Sequence, residues 1–202
     1  RQVEQRVTAL LNGEIQIAQF IPPHLMKRVA AGKNTKLSYT DSVEIMMLLM
    51  NPAFKPWNNK KLRQAVAHAI DRDTIIKTIL QGMARKLKGS IGPGQIGYDA
   101  ERSKAFDLKY DPVKAARLVK DAGYPNGVDV EMSTPVGRYV NDKIISQAIV
   151  PMLAKVGIRA KLLTPEWSTQ WANVRKGKRS FFYQGRGSVI DPGPALAQYF
   201  KT

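Results

Sequence analysis

Apolar residues recur at helical spacing from Val3 to Leu11, where Val3, Val7, Leu10 and Leu11 share one side, and Gly13 ends the run. Ile15-Gln16-Ile17-Ala18 alternates as a short strand. Pro22-Pro23 opens a second helix, which His24 to Ala31 fills until Gly32 stops it. Lys36 to Met50 is rich in Thr, Tyr, Val and Ile and reads as β structure, interrupted by Asn51-Pro52.

From there the rhythm alternates between helix and strand. Asn58 or Asn59 caps a helix running through His68, with Leu62, Val66, Ala69 and Ile70 on its buried face. Asp71 caps the next, whose inward face carries Ile75, Ile76, Ile79 and Leu80. Residues 83–110 read as loop. Asp111-Pro112 supplies a cap and a first-turn proline for a helix to Ala122, and Pro125-Asn126-Gly127 turns the chain into a strand from Val128 to Thr134. Asn141 opens the most regular helix, with Ile144, Ile145, Ala148, Ile149, Met152, Leu153 and Val156 at helical spacing and Pro151 inside it. A strand from Ile158 to Leu163, a helix from Pro165-Glu166 to Val174, a strand from Ser180 to Tyr183 and a last helix from Pro194 complete the pattern. Two βαβ-like units, 111–134 and 141–163, predict an α/β fold with a mixed sheet covered by helices.

Composition narrows the chemistry. The chain has 202 residues, 44% hydrophobic and 24% charged, as a globular domain does. It has no cysteine, which excludes disulfides, thiolate nucleophiles and Cys-held metals, and two histidines, His24 and His68, which leave little for a triad or a His-rich metal centre. No metal and no cofactor is expected. The apolar stretch Ile45 to Met50 has the length of a strand rather than of a membrane span. With no initiator Met and no signal peptide at Arg1-Gln2-Val3-Glu4, the chain reads as an internal piece of a longer protein.

The net charge is +16, and residues 51–202 carry most of it. Such a field speeds the approach of anions without selecting among them. Arg175 to Arg179 holds four cations in five residues, most simply a solvated turn. A nucleic-acid-binding basic domain is the alternative reading, but Phe182 falls on the strand face opposite Phe181 and Tyr183 and no recognition module is present, so no nucleic acid partner is expected. The Gly92-Pro93-Gly94 and Gly185-Arg186-Gly187 patterns lack the flanking elements or residues of a dinucleotide or phosphate loop and read as flexible rims of a ligand cleft. Glu166 and Asp191 are the acids after residue 150, and nothing orients them as a hydrolytic pair. Trp167 and Trp171, four apart, share a helix face.

The order of local motifs is more specific than any one of them. Pro-x-x-x-Pro-Trp at 52–57, AIDRDTII at 69–76, YDPVKAARLVKDAGYPNG at 110–127, LAKVGIRAKL at 153–162 and GRGSVIDPG at 185–193 together resemble the larger ligand-binding lobe of the oligopeptide/dipeptide (family 5) extracytoplasmic solute-binding proteins of ABC importers. Upstream, 6–29 resembles the helix-strand-helix that closes that family's first lobe, and VEIMMLLMNP at 43–52 resembles its hinge strand. The resemblance implies a periplasmic-binding-protein-like lobe: residues 1–48 are a fragment of the first lobe ending in the hinge strand, and residues 49–202 are the larger lobe, truncated at its C-terminus.

The same resemblance implies capture rather than catalysis. Two lobes close on a small polar solute, a peptide or an anionic or polyol-like molecule, and the closed form docks on an ABC permease in the membrane. The partners implied are the solute, the permease and the missing first lobe, in a periplasmic or extracytoplasmic location. Loops at 83–98, 134–139 and 183–191 supply the contacts, with Arg186, Ser188, Tyr183, Asp191, Arg138 and Arg85 as candidate ligand-binding residues. One departure matters. Peptide-binding members carry an acid shortly after a Gly-Trp, facing the peptide ammonium. Here Arg186 follows Gly185, and the acid position falls at Ser188 or Val189, which points to an anionic or polyol-like solute.

Overall fold

Side-chain caps set the starts of five helices. In the computed structural model, which describes residues 3–187 and 190–200, α1 (Val3–Leu11) and α2 (Pro23–Ala30) precede β1 (Ile45–Met50). Asn59 accepts from the Lys61 N–H at 2.9 Å and starts α3 (Lys60–Ala69). Asp71 accepts from Thr74 N–H at 3.0 Å and starts α4 (Arg72–Thr78). Asp99 caps a short helix, α5 (Ala100–Lys104), inside the stretch expected to be loop. Asp111 accepts from Lys114 N–H at 2.8 Å, and α6 (Pro112–Asp121) follows with proline in its first turn. Then come β2 (Val128–Ser133), α7 (Asp142–Ala154), β3 (Ile158–Leu163), α8 (Trp167–Arg175), β4 (Phe181–Arg186) and α9 (Gly193–Phe200).

The strands form one mixed sheet in the order β1-β4-β2-β3. β2 runs parallel to both β3 and β4, and β1 pairs antiparallel with β4 from Ile45 opposite Arg186 to Met50 opposite Phe181. Helix α7 links the parallel pair β2 and β3 and packs on β3, while α3 packs on α6. The core gathers Trp57, Leu62, Val66, Val119, Met132, Ile149, Leu153, Ile158 and Phe181. Trp57 and Phe181 meet with ring centroids 4.5 Å apart. Val7 and Val29, from α1 and α2, are buried outside that cluster. His68 is buried, its Nδ1 2.8 Å from the Lys109 carbonyl, a structural contact.

Several local expectations give way to context. Ile15 to Ala18 forms no strand: Ile17 is 77% exposed and the segment meets no ladder partner among the described residues. The β-rich stretch 36–50 is a strand only from Ile45, where β4 supplies hydrogen bonds. The strand expected to end at Tyr183 continues to Arg186 because it lies between β1 and β2, and both of its faces are buried. Ile144, expected inward, is 47% exposed. Asn141 does not cap α7 with its side chain. It sits at φ 55° and donates through Nδ2 to the Ile79 carbonyl at 3.3 Å.

Candidate functional site

Parallel strands leave their C-terminal ends on one edge of a sheet, where loops converge and ligand crevices form. In this fold the edge carries the end of β2 with the loop 134–141, the end of β4, and the start of antiparallel β1. Tyr183 and Gly185 are two residues apart on β4 and share a face; Met46 lies opposite Gly185, and Glu44 continues the same alternation. On this face Tyr139 lies against β4: its hydroxyl donates to the Gly185 carbonyl at 3.3 Å, and its ring meets Tyr183 edge-on at 6.3 Å. Trp167, at the start of α8, meets Tyr139 at 5.9 Å and stacks on Trp171 at 5.8 Å. The Arg138 guanidinium sits 5.3 Å from the Tyr139 ring centre and 5.1 Å from that of Trp167.

The loop that carries Arg138 is tied to one carboxylate. Buried Asp142 accepts from the backbone N–H groups of Gly137 at 3.1 Å, Arg138 at 2.9 Å and Tyr139 at 3.0 Å, and from Lys143 of its own helix at 2.8 Å. Glu44 is half-buried, which raises its carboxyl above the ordinary carboxylate range, while the Arg138 charge partly counters that. Burial also pushes the Tyr183 phenol up, assisted by the negative fields of Asp142 and Glu44.

The structure gathers two of the candidates, Arg138 and Tyr183, into this cluster. Arg186 belongs to the opposite face of β4. It is 3% exposed and donates through Nη2 to the Ser90 carbonyl at 2.7 Å and to Gln95 Oε1 at 3.0 Å, fastening the Gly/Pro loop to the strand. Gln95 Oε1 also accepts from Gly92 N–H at 2.9 Å. Arg85 is exposed and paired with Asp41 at 2.5 Å. Asp191 is exposed and accepts from Gly193 N–H at 2.8 Å, at the start of α9. Ser188 and Val189 lie outside the described residues. Glu44, Asp142 and Gln95 escaped the sequence reading. Glu44 is the one carboxylate in the apolar run 43–50 and Asp142 is an acid in a first helical turn, and both signals are commonplace.

Other chemistry finds little material. Glu166 accepts from both the N–H and the hydroxyl of Ser168, at 3.0 and 2.7 Å, and those bonds hold its carboxyl below the ordinary range, the reverse of a general acid. Among the described residues no group of three His, Asp or Glu side chains is placed to hold a metal, and no helix is long and apolar enough to cross a membrane. A depression of about 530 Å³ lies away from the cluster, lined by Pro112, Val113, Ala116, Arg117 and Lys120 of α6 and by Lys155.

Comparison with known proteins decides the family. The family model for bacterial extracellular solute-binding proteins, family 5 Middle, matches residues 2–202. The chain belongs to family 5 of the bacterial extracellular solute-binding proteins. Among its family 5 relatives, the dipeptide-binding protein of Escherichia coli (strain K12) is 30% identical over 97% of this chain and 37% of its own length. The glutathione-binding protein GsiB of the same strain is 33% identical over 98% of this chain and 39% of its own. Two solved structures align with 96% of the chain. AgaA from A. tumefaciens R10, in complex with agropinic acid, gives a TM-score of 0.84 at 30% identity over 39% of its length. The periplasmic binding protein DppA from Helicobacter pylori, in complex with the peptide STSA, gives 0.88 at 28% over 37%. The family 5 chain therefore has a periplasmic-binding-protein fold and spans between a third and two-fifths of the length of these relatives. Their names describe binding rather than catalysis, and none supports a nucleic-acid role.

Proposed function

We propose that the chain forms part of the solute-binding component of an ABC importer, working outside the cytoplasmic membrane and catalysing no reaction. It captures a peptide-like or other small polar solute as two lobes close, and the closed form delivers the solute to a membrane permease. Residues 1–48 contribute the end of the first lobe and residues 49–202 the larger lobe, so that the crossing falls within β1. The observation that carries this reading is the convergence of Arg138, Tyr139, Trp167, Tyr183 and Glu44 on one face at the C-terminal edge of the parallel strands.

The Arg138 guanidinium, held beside the Tyr139 and Trp167 rings, carries five N–H donors whose fork matches a carboxylate or a similar oxyanion. Arg138 is accordingly the proposed partner of an anionic solute group. The aromatic rings flank the apolar part of the solute. Arg186 contributes by holding the 89–97 loop at the rim, and Arg85 and Asp191 belong to the outer loops of the cleft. An anionic tripeptide such as glutathione, named in the GsiB relative, is the first probe to try, with dipeptides beside it.

The test is calorimetry on the full-length protein carrying this chain, titrated with glutathione and with dipeptides. Arg138→Gln is expected to weaken binding roughly tenfold or more, the cost of a lost charge-assisted pair. Unchanged affinity in that variant removes Arg138 from the site.

A further inference from the structure

The Asp142 carboxylate is placed where a bound anion would sit in a backbone nest, enclosed by consecutive N–H groups. Gly137 at φ +73° and Asn141 at φ 55° turn the chain back so that residues 137–139 wrap around a side chain three to five positions further on. An ordinary helix cap serves the N–H groups of its own first turn. Asp142 gives one of its four bonds to its own helix, at Lys143, and three to the loop that precedes it. The middle loop residue is Arg138, whose guanidinium rests on Tyr139 and Trp167. Tyr139, the third, is itself tied to Gly185.

We propose that Asp142 is a positioning residue for solute binding: its buried carboxylate grips the backbone of Gly137, Arg138 and Tyr139 and so holds the Arg138 guanidinium against the Tyr139 and Trp167 rings before any solute arrives. The ordering of this loop is completed when the protein folds, and a solute that meets Arg138 does not have to order it again. Asp142 reaches no solute itself. It acts through the loop, and it does so as an acceptor only, which an amide of the same shape cannot reproduce because one of its two ends donates. The role in affinity rests on the reading of Arg138 given above; the role in holding Arg138 does not.

The experiment uses the full-length protein with Asp142→Asn, and with Asp142→Ser should the first not fold. Without solute, the rate at which phenylglyoxal labels Arg138 is followed by peptide mass spectrometry, with hydrogen exchange of the 137–139 amides beside it. Both are expected to rise at least about threefold in a variant that keeps its fold, as the loop opens locally. Unchanged labelling and exchange in a folded variant overturn the proposal. With glutathione as probe, Asp142→Asn is expected to weaken binding about tenfold alone and to add nothing in the Arg138→Gln background. Equal weakening in both backgrounds assigns Asp142 to the fold alone and overturns the proposal. If Arg138→Gln by itself leaves glutathione binding unchanged, the solute role of Arg138 fails, and labelling alone decides whether Asp142 holds the loop.

Discussion

Tyr139 lies directly over Gly185. Its hydroxyl donates to the Gly185 carbonyl at 3.3 Å, and a Cβ added at position 185 would come within 2.5 Å of Tyr139 Cε1 and 2.8 Å of Cδ1. The glycine is demanded by space, since an aromatic ring occupies the volume a side chain would need. Through this contact the loop after β2 is laid against β4, and the ring that supports Arg138 is also the ring that touches Tyr183 and Trp167.

Gly185→Ala should therefore act as an overpacking change. Tyr139 has to tilt away, and the Met46 methyl, 2.8 Å from the added atom, has to move as well. The expected loss is about 1–3 kcal/mol of unfolding free energy, read by chemical denaturation. Methionine yields readily, so Gly185→Ala paired with Tyr139→Ala should recover part of the loss. An Ala variant as stable as the wild type would contradict this packing.

Arg186 answers differently from Arg138. Its guanidinium is buried and donates to the Ser90 carbonyl and the Gln95 side chain, so reversing it to Glu places a carboxylate against two acceptor oxygens. Arg186→Glu is expected to cost upwards of about 3 kcal/mol and to lower the thermal midpoint sharply. Any loss of solute binding in that variant then follows from a displaced 89–97 loop. A midpoint within a degree or two of the wild type would show that Arg186 does not fasten this loop.

What could be read in advance divides along the range of the interaction. Asn59, Asp71, Asp111 and Pro112 act within one helical turn, and their boundaries were legible because the sequence holds both partners side by side. The parallel β2–β3 pair followed from the helix between two apolar runs. Arg186, by contrast, reads as a loop cation until β4 is known to extend between β1 and β2, and its partners Ser90 and Gln95 lie more than ninety residues away. Ile15 to Ala18 shows the same limit from the other side, since its alternation is real but no strand among the described residues receives it. For the candidate site, the sequence placed the loop 134–139 after a strand, where β2 does end, and Arg138 on that loop. The grip of Asp142 was not legible, because it depends on two left-handed residues folding the loop back.

Tyr183 supplies the last expectation, one of stability and of pH. Its hydroxyl is buried and has no hydrogen-bond partner among the described residues. A buried polar group left unmatched is unfavourable, so Tyr183→Phe should be neutral or stabilising by up to about 1 kcal/mol at pH 7, although the residue stands at the candidate site. The alkaline limb separates the two proteins further. Burial, with the Asp142 and Glu44 charges nearby, holds the folded phenol above the ordinary value of about 10. Above that pH the unfolded chain has released a proton that the folded chain still keeps, so the unfolded state binds fewer protons and stability falls as pH rises. Below it both states hold the proton and the contribution is fully present. Denaturation curves between about pH 9 and 11.5 should therefore fall more steeply for the wild type than for Tyr183→Phe. Parallel slopes would place the phenol in contact with solvent, and a marked loss of stability at pH 7 would mean that the hydroxyl has found a partner within the protein.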